Sequence, residues 1–96
     1  MTKKITNNER KALKKKAYGL KPLIMIGQNG LTDAVINEID VALNAHQLIK
    51  VRAKGSDKDE RMEQCLKIKE RLNAEIIHRI GFVTVFYRPA PEISST

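Results

Sequence analysis

The chain has 96 residues, 42% of them hydrophobic, and a formal net charge of +7. That length suits one domain able to bury a core without metal or disulfide staples, and the single Cys65 has no partner for an internal bridge. No apolar run approaches the roughly 20 residues of a membrane-spanning helix, and residues 1–16 lack the apolar centre of a signal peptide, so a reducing cytoplasm is the expected location.

The first helix, α1, is expected from Thr6, which opens a Thr6-x-x-Glu9 capping box, to about Tyr18, with Gly19 and Pro22 ending it. Leu13, Ala17 and Leu20 give it a narrow apolar stripe. Arg10 and Lys14 lie on one flank, with Lys11, Lys15 and Tyr18 towards the other. Nearly all the excess charge gathers here: residues 1–21 carry eight basic side chains against Glu9 alone, while the rest of the chain carries ten of each sign. Such concentration points to a polyanionic partner; the plainer reading is a solvated lysine-rich helix.

A short strand β1, Leu23 to Ile26, runs into Gly27-Gln28-Asn29-Gly30 and then into helix α2, from an N-cap at Thr32 to about His46. Glycines three apart beside a helix start are a way to seat a phosphate on backbone N–H groups. The stretch is neither a Walker loop nor a dinucleotide fingerprint, and an ordinary strand-to-helix turn also fits it. Along α2, Val35, Ile36, Ile39, Ala42 and Leu43 face the core, with His46 on the same side. Asp33, Asn37, Asp40 and Asn44 make a neutral-to-acidic outer face that a polyanion should avoid.

Strand β2, Leu48 to Ala53, alternates strictly, with Ile49, Val51 and Ala53 one way and Lys50 and Arg52 the other. Helix α3 begins at Ser56 or Asp57 with acids in its first turn, and Met62, Cys65, Leu66 and Leu72 are its expected core stripe. Strand β3, about Glu75 to Ile80, turns at Gly81 into strand β4, Phe82 to Tyr87 or Arg88. Pro89 and Pro91 stop the sheet, leaving one domain over residues 1–89 and a loose tail over 90–96.

The order α1-β1-α2-β2-α3-β3-β4 predicts an α/β chain of the α+β kind: a two-layer sandwich with a four-stranded mixed sheet. Its two β-α-β units call for parallel pairing and right-handed crossovers, which puts α2 and α3 on one face; the docking position of α1 stays open. Catalysis and metal binding find little support, because His46 and His78 are far apart and one Cys with two His offers no ligand spacing. No cofactor and no small-molecule substrate are expected. Four aromatic residues, Tyr18, Phe82, Phe86 and Tyr87, are too few for a dominant stacking platform, so backbone recognition by charge and loop N–H groups is the expected mode.

With loop and element order in place, the chain resembles the CRM domain (chloroplast RNA splicing and ribosome maturation) in its stand-alone bacterial form. The residues carrying the likeness are Leu20-Lys21-Pro22, Ile26-Gly27-Gln28-Asn29-Gly30-Leu31-Thr32, His46-Gln47-Leu48-Ile49-Lys50-Val51 and Tyr87-Arg88-Pro89. The resemblance implies an RNA-binding domain with a fold similar to the C-terminal domain of bacterial initiation factor three, associated with precursors of the large ribosomal subunit. The family often places a basic residue after the first loop glycine; Gln28 stands there in this chain and brings no charge.

The expectation is therefore a non-enzymatic protein that binds RNA, ribosomal RNA in particular, during large-subunit assembly. Arg10, Lys11, Lys14 and Lys15 would neutralise phosphates, and Gly27, Gln28, Asn29 and Gly30 would set the backbone register. Lys50, Arg52 and Arg88 either extend that surface across an open sheet face or are merely solvated strand residues. Two other readings stand beside it: an adaptor for an acidic protein partner, and a peripheral binder of anionic membrane. The narrow stripe of α1, without Trp or Phe, argues against a membrane partner.

Overall fold

The structure is a computed structural model that describes residues 5–27, 29–54 and 57–89. Gln28, Ser56 and the 90–96 segment, each given a place by the sequence, lie outside the described residues. The elements follow the expected order: α1 (Asn7–Ala17), β1 (Ile24–Ile26), α2 (Asp33–His46), β2 (Leu48–Ala53), α3 (Lys58–Leu72), β3 (Glu75–Ile80) and β4 (Val83–Tyr87).

Local chemistry sets the helix starts. The Thr6 hydroxyl accepts the Glu9 N–H, Thr32 accepts that of Val35, and the Asp57 carboxylate accepts that of Glu60. Each satisfies one donor that the first turn leaves without a helical partner. Helix α3 ends on Asn73 in the left-handed region at φ 53°, and the β3–β4 turn needs Gly81 at φ 56°. Phe82 belongs to that turn, so β4 begins one residue later than expected.

The sheet order is β1-β2-β4-β3. β1 pairs parallel to β2, Ile24 opposite Val51, and β2 pairs antiparallel to β4, Leu48 opposite Tyr87. β3 pairs antiparallel to β4 with a bulge between Ile76 and His78. β3 therefore runs in the direction of β2, but the two do not touch: the last strand is inserted between them. The second crossover spans two strand positions, which corrects the expectation of direct parallel pairing in both units.

Helices α2 and α3 cover one face, where Ile39, Leu43, Cys65 and Ile68 pack against Ile24, Ile26, Ile49, Val51 and Phe86. The core stripe of α3 is Cys65, Ile68 and Leu72. Met62 and Leu66 of the expected stripe lie exposed, because the i, i+3, i+7 row through Ile68 is the one that meets the sheet. Cys65 is a core residue, its Sγ 3.2 Å from the Thr84 hydroxyl. α1 settles its open position on the opposite face: Ala17 and Leu13 pack with Leu48, Ile77, Val85 and Tyr87. It thus adds a partial third layer over one end of the two-layer unit.

Arg88 is a structural clamp. Its guanidinium lies 2.8 Å from the Asp40 carboxylate and donates to the carbonyls of Leu72 and Asp40 and to the Asn44 side chain. Its side chain is only 17% exposed. It ties the end of β4 to α2 and to the end of α3, on the side away from α1, which corrects its place as a candidate for an RNA surface. Arg88→Ala should lower the free energy of unfolding in urea by about 2 kcal/mol or more, since it strands several acceptors at once; Arg88→Lys, without the planar fork, should restore only part of it.

Candidate nucleic-acid interface

The basic residues of α1 divide by what the docked helix allows. Arg10 reaches over β3, where one guanidinium nitrogen donates to the Ile76 carbonyl at 2.6 Å with a longer contact to Ile77 at 3.5 Å. These carbonyls belong to the bulge, so Arg10 secures the helix as well as carrying charge. Lys14 is half-buried on the same flank and sits close enough to His78 to act on its charge. Lys11, Lys15 and Lys16 are exposed, and none makes an ion pair among the described residues. The exposed ring of Tyr18 follows them.

Register places a second group beside α1. Met25 lies opposite Arg52, Arg52 opposite Val83, and Val83 opposite Ile80. Partners in a register point to one face, and here it is the face α1 covers only in part. Met25 is 63% exposed and Ile80 56%, so this row is an open strip of apolar side chains around one exposed arginine. Lys50, on the same face of β2, is half-buried and donates to the Leu20 carbonyl at 2.9 Å, which fastens the α1–β1 connection. Arg52 thus belongs to the open surface; Lys50 is partly spent on structure.

The loop at the end of β1 is a turn in which the Gly30 N–H donates to the Gly27 carbonyl at 3.0 Å. That amide is therefore engaged, which corrects the expectation that it is free to hold a phosphate. The start of α2 is likewise capped by Thr32, and Asp33 beside it carries a negative charge. What the loop offers is shape. Gly30 has φ 73°, and a Cβ there would meet the Gln64 amide nitrogen at 3.7 Å, so its glycine is conformational. Gly27 is outside the left-handed region, and a Cβ there would have nothing within 4 Å. Nothing within the described fold asks for its bare backbone. Asn29 is exposed at the tip.

The outer face of α2 is less acidic than its sequence, because Asp40 is taken by Arg88 while Asp33 makes an exposed pair with Arg71 at 3.5 Å. His46, expected towards the core, is exposed at the end of α2. There it lines a cleft with the end of α1, a feature the sequence reading missed because it joins segments distant in the chain. Among the described residues no group of three or more His, Cys, Asp or Glu side chains is placed to hold a metal ion, and no helix is long and apolar enough to cross a membrane.

A family model for the CRS1 / YhbY (CRM) domain matches residues 5–88, from the start of α1 to the Arg88 clamp. The chain belongs to the CRS1/YhbY (CRM) domain family. A Haemophilus influenzae protein named "RNA-binding protein" is 38% identical over 88 residues, covering 92% of this chain and 89% of its own. A Pseudomonas aeruginosa protein named "Probable RNA-binding protein" is 31% identical over 88 residues, covering 92% of this chain and 85% of its own. The solution structure of a hypothetical protein from Staphylococcus aureus superposes with a TM-score of 0.79 at 27% identity, covering 95% of both chains.

Within this CRM domain the two loop glycines should respond differently to substitution. Gly27→Ala should leave stability unchanged or raise it by about 0.4–1 kcal/mol through the unfolded chain, whereas Gly30→Val should lower it by about 1–3 kcal/mol through its positive φ. Urea unfolding of both variants measures the difference. His78 supplies a pH test: burial and then the Lys14 charge lower its pKa below the ordinary 6.5. The folded state therefore binds fewer protons there than the unfolded state, so stability should fall as the pH drops below 6.5 and level off below the folded pKa. His78→Gln should flatten that segment of the stability–pH curve.

Proposed function

We propose that this CRM domain is a non-enzymatic RNA-binding protein that acts in the cytoplasm on ribosomal RNA during large-subunit assembly. The observation that carries the reading is the set of outward lysines on α1. The helix is held to the sheet by Ala17, Leu13 and Arg10, yet it presents Lys11 and Lys15 on one outward row, with Lys16 exposed on a neighbouring flank, and none of the three makes an ion pair among the described residues. Like charges four residues apart destabilise a helix by a few tenths of a kcal/mol, and a polyanion removes that cost. Arg52 and the exposed Met25 and Ile80 extend the surface along the sheet.

The bare Gly27 supports close approach of a second chain to the loop, as in modules that clamp a nucleic-acid backbone with such a turn. With the Gly30 amide engaged and Gln28 uncharged, the loop supplies position and the helix supplies attraction. The names of the Haemophilus and Pseudomonas relatives agree with RNA as the partner class. The ribosomal assignment rests on the resemblance of the sequence motifs to the stand-alone bacterial members of the family.

Binding to a precursor ribosomal RNA fragment should weaken with salt. If about five phosphates are neutralised, log K falls with log salt at a slope near −3.5 for single-stranded contacts. Replacing Lys11 and Lys15 together by Gln should reduce the slope by about 1.4, and Gly27→Ala should weaken binding with no loss of stability. A salt-independent affinity, or full binding by the double lysine variant, would refute the electrostatic reading.

A further inference from the structure

A cleft of about 530 Å³ opens between the end of α1, the connection to β1 and the start of β2. This falls within the roughly 300–1,000 Å³ span of small-ligand sites. Leu13, Leu20, Leu23, Leu48 and Tyr87 give it apolar walls, while Lys16, Lys21 and His46 stand at its polar parts. No acidic side chain lines it among the described residues. Gln47, in its wall, is held at φ 66° and ψ −43° by backbone bonds from its N–H to the Leu43 carbonyl and from the Arg88 N–H to its own carbonyl. A non-glycine residue at positive φ is a strained element of the kind that collects at binding sites.

We propose that this cleft receives one unpaired nucleotide of the bound RNA, its base against Leu20, Leu23 and Tyr87 and its phosphate held by Lys16 and Lys21. This deepens the RNA-binding reading and rests on it. An apolar body with an anionic end fits apolar walls whose polar lining holds Lys16, Lys21, His46 and the neutral Gln47 and no acid, and Lys16 belongs to the same helix as Lys11 and Lys15, so the cleft continues the proposed RNA surface. A paired base is locked in its stack, and extracting it costs a few kcal/mol; a bulged or single-stranded base enters at much lower cost. The cleft therefore selects for RNA with an unpaired nucleotide, a discrimination that the lysines of α1, which see only phosphates, cannot supply.

The test compares a fully paired RNA hairpin with the same hairpin carrying one extra unpaired A, C, G or U in its stem, by fluorescence anisotropy at fixed salt. The wild-type chain should bind at least one bulged hairpin about tenfold tighter than the paired one, the scale of one base contact against an apolar or aromatic wall. Gly19→Leu fills the cleft from a position where a Cβ makes only an ordinary 3.8 Å contact with the Lys16 carbonyl. It should abolish the preference and leave binding to the paired hairpin unchanged. Leu23→Ser, at a side chain 56% exposed and therefore tolerant of the change, should reduce the preference without unfolding the domain. Equal binding of paired and bulged hairpins by wild type, or a preference that survives in Gly19→Leu, overturns the cleft alone. Failure of wild type to bind any hairpin or the precursor fragment overturns the RNA-binding reading, and the cleft proposal falls with it.

Discussion

The antiparallel pairing of β2 with β4 is the constraint on which the rest of the molecule depends. It brings the last strand into the middle of the sheet and sets Leu48 opposite Tyr87, Lys50 opposite Val85 and Arg52 opposite Val83. The first of these pairs, with Val85 and Ile77, is the seat of α1; the third is the centre of the open strip. On the other face the same pairing places Phe86, fully buried, beside Ile49 and beneath α2 and α3. One ladder therefore decides where the basic helix lies, what remains uncovered next to it and how the core closes.

Much of this architecture is legible in the sequence where its causes are local. The three N-caps, the alternation of Ile49, Lys50, Val51 and Arg52, and the glycine at the β3–β4 turn all act within a few residues, and each element they predict is present. What is illegible is decided across the chain. Arg88 finds Asp40 through 48 residues of separation, so beside Pro89 it reads as one more surface cation. Arg10 finds a bulge that exists only once β3 has paired with β4. The stripe of α3 runs through Ile68 and leaves Met62 and Leu66 exposed, a choice between overlapping apolar rows that periodicity alone does not make.

The candidate surface shows the same division. Lysines concentrated in residues 1–21 are plain in the sequence, and so are two glycines three apart. Their different reasons are not: Gly30 is needed by its own backbone, while Gly27 is bare without an internal cause. The Gly30 amide is engaged and an acid stands at the start of α2, so the loop itself presents little positive charge. In the proposed RNA-binding function, attraction then comes from the helix, and geometry from a turn that is small enough to be approached closely.

The edges of the sheet carry a consequence for how such a chain behaves at high local density. A net charge of +7 makes copies repel one another, but a polyanion that gathered several copies would cancel that repulsion and crowd them together. Strand addition between neighbours is then the hazard. β1 offers only three residues, after a Pro22 that has no N–H to give. At the other edge β3 is broken by its bulge, whose carbonyls are already taken by Arg10. The same arginine that fixes the cationic helix in place thus blunts a strand edge, so that neutralising the surface need not turn copies gathered on one polymer into a β-aggregate.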